Sequence, residues 1–367
     1  DEDLKRQGVS GELWAVHGGG FYHPVKFAGA PATLPAHLHW FYWESYSTWL
    51  TGFALFTVSY LWNAGTYLVD KSRMDWSPNT AVLVALAFLV VFWLLYDAVC
   101  RIVGQRKHGD RIVGLLMAVL VCVASYLACQ WFAGRAAFLL VGAMIATSMS
   151  ANVLFWIIPG QRKMVASIKA GEAVDPVHGW RGKQRSVHNT YFTLPVLFAM
   201  LSNHYSFTYS HAMNWLVLIV MMGAGAAIRQ FFVLRHGFKL GRNPHPWPYV
   251  TAGVAAILAV VVWLAPQSGA GNAMNSGAFS ADGTRAAATI DYEQLQPVLA
   301  QRCYTCHGET VQMKSVRVDS AQGVKQHAQA IYQQTVVSKI MPLTNATGMT
   351  DEERELVQKW FESGAKF

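Results

Sequence analysis

The sequence predicts an all-α membrane protein, a polytopic transmembrane helical bundle with a small helical domain at its C-terminus. Of the 367 residues, 53% are hydrophobic and 14% are charged, which is typical of an integral membrane protein with a modest soluble part. Seven apolar stretches approach the roughly 20 residues that a helix needs to cross the hydrocarbon core. Near the C-terminus, Cys303-Tyr304-Thr305-Cys306-His307 has the C-x-x-C-H spacing at which a c-type haem is attached. The C-terminal domain is therefore predicted to be a mono-haem cytochrome c domain.

The predicted spans follow the seven apolar stretches in order. The fifth is short and contains Pro195, but its sequence YFTLPVLFAML is too apolar for a solvated loop. Cys100, Cys122 and Cys129 lie in or beside these stretches and are interpreted as small buried hydrophobic residues. The spans are 46–64, 80–99, 112–132, 136–158, 187–201, 212–234 and 248–264.

The loops between the spans differ in positive charge. Alternate loops carry thirteen Lys and Arg residues, and the intervening loops carry only Lys71, Arg73 and Arg135. The positive-inside rule places the thirteen in the cytoplasm. Counting spans forward then places the C-terminal domain in the periplasm of a bacterial inner membrane, the side on which c-type haem is attached. The thirteen are Arg101, Arg106, Lys107, Arg111, Arg162, Lys163, Lys169, Arg181, Lys183, Arg185, Arg235, Lys239 and Arg242.

This charge pattern also bears on the partners of the protein. The net charge of +8 arises from loops between apolar spans and not from a basic patch. It therefore reports topology. We expect the lipid bilayer as a partner and no nucleic acid.

Composition divides the chain into four segments. Residues 1–43 form a His- and aromatic-rich segment, which the topology places in the cytoplasm, and 44–265 form the transmembrane domain. Residues 266–288 are rich in Gly, Ser, Asn and Ala, which is typical of a flexible linker. Residues 289–367 form the predicted periplasmic cytochrome c domain.

The haem motif lies where a mono-haem cytochrome c needs it. A first helix, Tyr292–Arg302, is predicted to lead into the motif. Cys303 and Cys306 would each form a thioether with the porphyrin, and His307 would bind the haem iron. A zinc knuckle or a redox dithiol is the alternative interpretation of the two cysteines.

A methionine is expected as the second axial ligand, because thioether ligation suits a low-spin electron carrier. Met313 is too near the motif for the chain to pass around the haem edge. Met349 directly precedes a capping box that opens an amphipathic last helix, in which Trp360 is predicted to be a core residue. Met341, which is followed by the stiffening Pro342, is therefore predicted to bind the haem iron opposite His307.

Five sequence runs resemble the membrane-bound, cytochrome c-fused urate oxidases, also called urate hydroxylases. The resemblance covers essentially the whole chain. Relatives usually carry one more apolar span before the region of Gly11, so the resemblance implies seven spans here and eight in a full-length protein. The runs are WAVHGGGFYH at 14–23, PAHLHWFYWE at 35–44, NTYFTLPVLF at 189–198, SNHY at 202–205 and MPLTNATGMT at 341–350.

The resemblance implies an activity that composition and spacing do not show. Urate would be oxidised to 5-hydroxyisourate, a step in purine breakdown. The electrons would pass to a c-type haem and not directly to oxygen, so no hydrogen peroxide would form. A soluble cytochrome c or a terminal oxidase is the expected electron acceptor.

This reaction removes two electrons, whereas one haem accepts one. The protein must therefore discharge the haem twice or hold another redox group. His188, His204 and His211 lie at the ends of the fifth and sixth predicted spans. Two of them on facing helices would clamp a b-type haem. The alternative is that they are hydrogen-bonded histidines at helix ends.

The N-terminal segment is a candidate substrate site. His17, His23, His37 and His39 lie among Trp, Phe and Tyr residues, which would stack on a flat anion and exchange protons with it. The run 18–20 of three glycines would let backbone amides approach an anion. The alternative is an aromatic belt at the membrane interface.

The sequence also contains a possible pair of metal ligands and two ionisable residues at span edges. The pair His37 and His39 is spaced like metal ligands, but a complete ligand set is not evident, and oxygen reduction is not predicted. Glu44 and Asp97 are ionisable residues at span edges, the latter one turn before Arg101. The competing function is a membrane-anchored cytochrome c that carries electrons from quinol or a partner complex, although seven spans exceed what an anchor requires.

Overall fold

The computed structural model describes residues 2–27, 31, 34–71, 73–265, 290–313, 316–337 and 339–367. The chain divides into two compact units. The first comprises Asp1–Thr48 with Ser150–Val187, and the second comprises Trp49–Met149 with His188–Phe367. The predicted linker at 266–288 lies outside the described residues.

The N-terminal segment contains strands, which corrects the all-α prediction. A short helix α1 (Glu2–Arg6) is followed by β1 (Val9–Glu12), β2 (Ala15–His17), β3 (Gly20–Tyr22) and β4 (Val25–Phe27). β2 pairs with β3, β1 pairs with β4, and both pairs are antiparallel. The β2–β3 turn consists of Gly18 and Gly19, with φ values of 58° and 80°. Such a turn favours glycine at both positions, and it accounts for the glycine run.

The chain from residue 43 to 264 is largely helical. The helices are α2 (Trp43–Phe56), α3 (Ala64–Tyr67), α4 (Pro78–Val103), α5 (Gly109–Trp131), α6 (Gly134–Asn152), α7 (Ile158–Lys169), α8 (Pro176–Leu201), α9 (Ser206–Tyr209), α10 (Asn214–Lys239) and α11 (Trp247–Leu264). α2 continues into a π-helical turn, Thr57–Leu61, and α6 runs through another, Val153–Ile157, into α7.

Among the described residues, five helical stretches, not seven, are long and apolar enough to cross a membrane: α4, α5, the continuous α6–α7, α10 and α11. The predicted spans at 46–64 and 187–201 are mostly helical but fail on composition. α2 is rich in Ser, Thr, Tyr and Trp, and the first half of α8 carries Arg181, Lys183 and Arg185. The prediction of seven spans is therefore wrong by this measure, because it counted short apolar runs without the polar residues of the same helices.

The helices of the second unit bury alanines together with larger apolar side chains, and they expose leucines and valines. Ala85, Ala128 and Ala137 are fully buried, whereas Leu83 and Val262 are 68% and 75% exposed. Small residues let helix backbones approach closely, which stabilises packing where lipid removes the hydrophobic drive between helices. The outward leucines and valines then suit contact with hydrocarbon.

The described part of the C-terminal domain contains four α-helices, α12 (Tyr292–Arg302), α13 (Tyr304–His307), α14 (Ala321–Tyr332) and α15 (Asp351–Glu362). Asp291 and Thr350 form capping boxes that begin α12 and α15, as the sequence predicts for the last helix. Trp360 is fully buried in the domain core with Leu295 and Leu299, and this prediction is also confirmed. Its indole N–H donates to the Lys366 carbonyl at 3.1 Å.

The C-terminal domain packs against one end of the bundle. α3 contacts the 3-10 turn Leu343–Asn345. The loops that follow α3, α5 and α9 line a common cavity with the C-terminal domain. These are the loops with few basic residues, so the end at which the C-terminal domain lies is the end with little positive loop charge.

Arg302 ties the end of α12 to the start of α15. Its guanidinium donates to both carboxylate oxygens of Glu353, at 3.0 to 3.1 Å, and to the Thr347 carbonyl. Burial of the Glu353 carboxyl opposes its ionisation, but the hydrogen bonds from Arg302 and from the Thr350 backbone outweigh burial and lower the pKa of Glu353. The position of Cys303, the next residue, thus depends on an ion pair with α15.

We expect Glu353→Gln to destabilise the C-terminal domain at pH 7 by about 1–3 kcal/mol, the usual range for hydrogen bonds to charged groups. Glutamine keeps the capping box but loses the ion pair. Because the folded pKa is depressed, the stabilisation is fully present above the ordinary Glu value of 4.5 and is lost as the pH falls through the folded pKa.

The measurement is the thermal midpoint of the full-length protein between pH 7 and pH 3. The matched control is Glu355→Gln, since Glu355 and its partner Lys359 are both 60% exposed and such pairs contribute little. Equal midpoints for Glu353→Gln and the unsubstituted protein at pH 7 would contradict the role of the ion pair.

Candidate functional site

The two cysteines of the C-x-x-C-H motif lie on one turn of helix. α12 ends at Arg302, and the backbone N–H groups of Cys306 and His307 both donate to the Cys303 carbonyl, at 3.1 and 2.9 Å. The two thiols are not joined as a disulfide. Burial, together with the neighbouring Cys306 and Glu353, raises the pKa of the Cys303 thiol to about 11. A redox-active dithiol needs a lowered thiol pKa, so this environment disfavours that alternative.

His307 is held with one ring nitrogen free for a metal. Its Nδ1 lies 3.3 Å from the Val316 carbonyl oxygen, and its own carbonyl accepts from Val318 N–H at 2.9 Å. A carbonyl only accepts, so Nδ1 must carry the proton and Nε2 keeps its lone pair. Metal-ligating histidines usually make this kind of backbone hydrogen bond.

The three candidate methionines have different environments. Met313 is 45% exposed, whereas Met349 is buried in the domain core at 3% exposure. Met341 is half-buried on a loop held at both backbone groups, since its N–H donates to the Gln334 carbonyl and its carbonyl accepts from Arg354, each at 2.9 Å. Of the three, Met341 best fits a fixed axial ligand.

These residues fit a covalently bound haem better than a zinc ion. Cys303 and Cys306 lie on one turn, His307 presents a free nitrogen and Met341 sits on a held loop. Among the described residues, no group of three or more His, Cys, Asp or Glu side chains is arranged to hold a metal ion.

The structure separates the histidines proposed for a b-type haem. His188 Nδ1 lies 2.9 Å from the Tyr96 hydroxyl inside the bundle. His204 follows the far end of α8, so about 20 Å of helix separates the two residues, far more than one iron can bridge. His211 Nδ1 accepts from Met213 N–H at 3.0 Å, and its ring packs on Trp263. These two residues are therefore too far apart to share an iron, and the predicted b-type haem between facing helices, which would need His211 as one ligand, stays a prediction.

The four N-terminal histidines have separate environments. His23 stacks on Trp14 at 4.0 Å, and its Nε2 lies 2.8 Å from a Glu12 carboxylate oxygen. This hydrogen bond lowers the pKa of Glu12. His39 lies 3.7 Å from Glu44, whereas His17 and His37 are exposed.

The aromatic residues of this segment also have partners. Trp40 and Tyr42 each lie 5.9 Å from the Arg162 guanidinium, which is the arrangement of a cation–π contact. Gly18 and Gly19 form the hairpin turn. The contacts of the predicted substrate residues are thus with protein side chains of the same unit.

Sequence reasoning missed a cavity of about 580 Å³ at the end of the bundle. We call it the end cavity. It is lined by Asp70, Lys71 and Arg73, by Ala133, Gly134 and Arg135, by Tyr209 and Ser210, and by residues of the C-terminal domain between 339 and 354. Its charged side chains are Asp70, Lys71, Arg73, Arg135, Lys339, Asp351 and Arg354. The one sequence signal was that Lys71, Arg73 and Arg135 are the basic exceptions in otherwise weakly charged loops.

Comparison with protein families matches residues 1–265 to the urate oxidase N-terminal family. Comparisons with curated proteins and with solved structures gave no match. The matched range contains the N-terminal segment and all the bundle helices, and it is more than half of the chain. The protein therefore belongs to the urate oxidase N-terminal family.

Proposed function

We propose that the protein is a membrane urate oxidase that converts urate to 5-hydroxyisourate and passes the electrons through a covalently bound c-type haem to the respiratory chain. A soluble cytochrome c or a terminal oxidase would accept them, and no hydrogen peroxide would form. The observation that carries the proposal is the family match over residues 1–265, joined to the geometry of the C-x-x-C-H turn.

The reaction balances with water as the oxygen donor. Urate and water give 5-hydroxyisourate, two protons and two electrons. A single haem would accept one electron at a time, so it would pass an electron to its acceptor twice in each turnover unless a second redox group is present. The acceptor must therefore reach the C-terminal domain repeatedly.

The residues of the C-terminal domain have distinct tasks in this proposal. The thiols of Cys303 and Cys306 would hold the haem as two thioethers, and His307 Nε2 and Met341 Sδ would bind its iron. The bound haem would supply one-electron transfer, at a potential that thioether ligation raises. Val316 orients the His307 ring, and Arg354 holds the Met341 carbonyl, so the chain fixes both ligands before electrons arrive.

We further propose that the membrane is the bacterial inner membrane, with the C-terminal domain in the periplasm and residues 1–43 in the cytoplasm. This orientation requires α2 and α8 to cross the bilayer together with the five apolar helices, and two observations support it. The loops assigned to the cytoplasm carry thirteen basic residues, and the other loops carry three. The C-terminal domain packs against the end of the bundle at which those three residues lie. Haem attachment to c-type cytochromes takes place outside the cytoplasm, which agrees with that side.

Anaerobic addition of urate to the purified, oxidised protein tests the function. We expect each urate to reduce two equivalents of haem, because two electrons leave the substrate. In air, with the natural acceptor present, urate should be consumed without hydrogen peroxide. Reduction by quinol but not by urate would instead support the electron-carrier function. A pyridine haemochrome spectrum of the same sample should give one c-type haem per chain and will reveal any b-type haem.

Substitution of the proposed axial ligand makes a second test. Met341→Ala should lower the reduction potential and abolish the far-red thioether-to-iron absorption band of the ferric protein, because the sulfur ligand is lost. Met313→Leu is the matched control, since Met313 is exposed, and it should keep both properties. A Met341→Ala protein with the band and the potential unchanged would rule out Met341 as the ligand.

A further inference from the structure

The end cavity has an excess of positive charge. Among the described residues, five cationic side chains and two carboxylates line it. Each carboxylate already lies beside a cation, since Asp70 is 3.6 Å from Arg73 and Asp351 is 3.1 Å from Lys339. The cavity thus has three more positive than negative side chains, which favours an anion.

The position of three of these cations is unexpected for a membrane protein. Lys71, Arg73 and Arg135 are the basic residues in loops that otherwise lack them. Basic residues in such loops oppose the orientation that the rest of the chain specifies. All three line the end cavity, so their common property is this site and not membrane topology.

Arg135 is held in place with donors to spare. Its Nε donates to the side-chain oxygen of Asn203, which also accepts from the Tyr60 hydroxyl at 3.1 Å. Tyr60 lies on the π-helical turn Thr57–Leu61, and such turns occur frequently at functional sites. An arginine has five N–H donors, and among the described residues Asn203 accepts from one of them. The planar guanidinium suits a flat anion with adjacent acceptors.

The wall that the C-terminal domain contributes suits the face of an aromatic ring and adjoins the proposed haem site. Ile340, Leu343 and Met349 contribute apolar surface. Arg354 lines the cavity and donates to the Met341 carbonyl at 2.9 Å. A ligand here would therefore lie beside the loop that carries the proposed axial ligand.

We propose that the end cavity is the urate-binding site, with the substrate bound as a monoanion between the bundle loops and the C-terminal domain. This inference rests on the proposed function, and it selects this cavity over the histidines of the N-terminal segment. Arg135 is the principal anion-binding residue, because among the described residues no carboxylate of the cavity lies beside it, whereas Arg73 lies beside Asp70 and donates to the Cys129 carbonyl. A cavity of about 580 Å³ lies within the range of roughly 300–1,000 Å³ that is usual for small-molecule sites.

Equilibrium dialysis of radiolabelled urate against the full-length holoprotein tests the proposal. The haem is first reduced with dithionite under anaerobic conditions, so that urate binds but cannot be oxidised. We expect Arg135→Gln to raise the Kd for urate by about tenfold or more, as loss of a charged hydrogen-bond donor does, and Arg73→Gln to raise it by a smaller factor. Arg135→Lys, which keeps the charge, should recover part of the affinity.

The matched control is Arg242→Gln, the same substitution at an exposed arginine outside the cavity, and its Kd should not change. An unchanged haem spectrum in every variant shows that the C-terminal domain is intact. In turnover, the two glutamine variants should raise KM more than they lower kcat.

Two results would overturn the proposal. If urate reduces the haem of the unsubstituted protein while both glutamine variants bind urate normally, the cavity is not the site, although the proposed function stands. If inorganic phosphate or nanodiscs containing phosphatidylglycerol displace urate at equal concentration, the cavity is a general phosphate or headgroup site. Failure of urate both to bind and to reduce the haem would instead contradict the proposed function itself.

Discussion

A buried cation, Arg354, is the point on which the C-terminal domain and its junction with the bundle depend. Its side chain is almost fully buried, and its guanidinium donates to the carbonyls of Thr335 and Met341 and to Asn345. Burial lowers its pKa, whereas the charges of Asp351 and of Asp70, a bundle residue, raise it. A buried charge is tolerated only where it is paired and hydrogen-bonded. One side chain therefore fixes the Met341 loop, the start of α15 and the wall of the end cavity together.

The local signals in the sequence were sufficient for the elements of the C-terminal domain. α12 has the predicted bounds, Thr350 caps α15, and Trp360 is in the core, because capping and amphipathic patterns act within a few residues. Hydropathy was less reliable for the membrane helices. It located five of them but overcounted at α2 and α8, where hydroxyl, indole and basic groups share a helix with apolar runs. The three glycines at 18–20 predict an anion site, but the tight hairpin turn itself requires Gly18 and Gly19.

The features that the sequence did not predict join residues that are distant along the chain. The end cavity combines the loop at 70–73, Arg135 and the segment from 339 to 354, and no periodicity or motif links these segments. Likewise, the hydrogen bond between His188 and Tyr96 crosses 92 positions. Histidine often binds cofactors, and the sequence therefore predicts these residues as ligands. Their actual partners are determined by tertiary packing.

Binding of urate in the end cavity, as proposed, would also determine on which side acid is released. In the proposed reaction the oxidation of urate liberates two protons, and the interior of the bundle is a core of buried apolar side chains, whose close packing leaves little room for a water chain. Protons formed in the end cavity would leave on the side of the C-terminal domain. With electrons delivered to an oxidase that takes its protons from the cytoplasm, uric acid breakdown would then add to the electrochemical gradient without any proton crossing this protein.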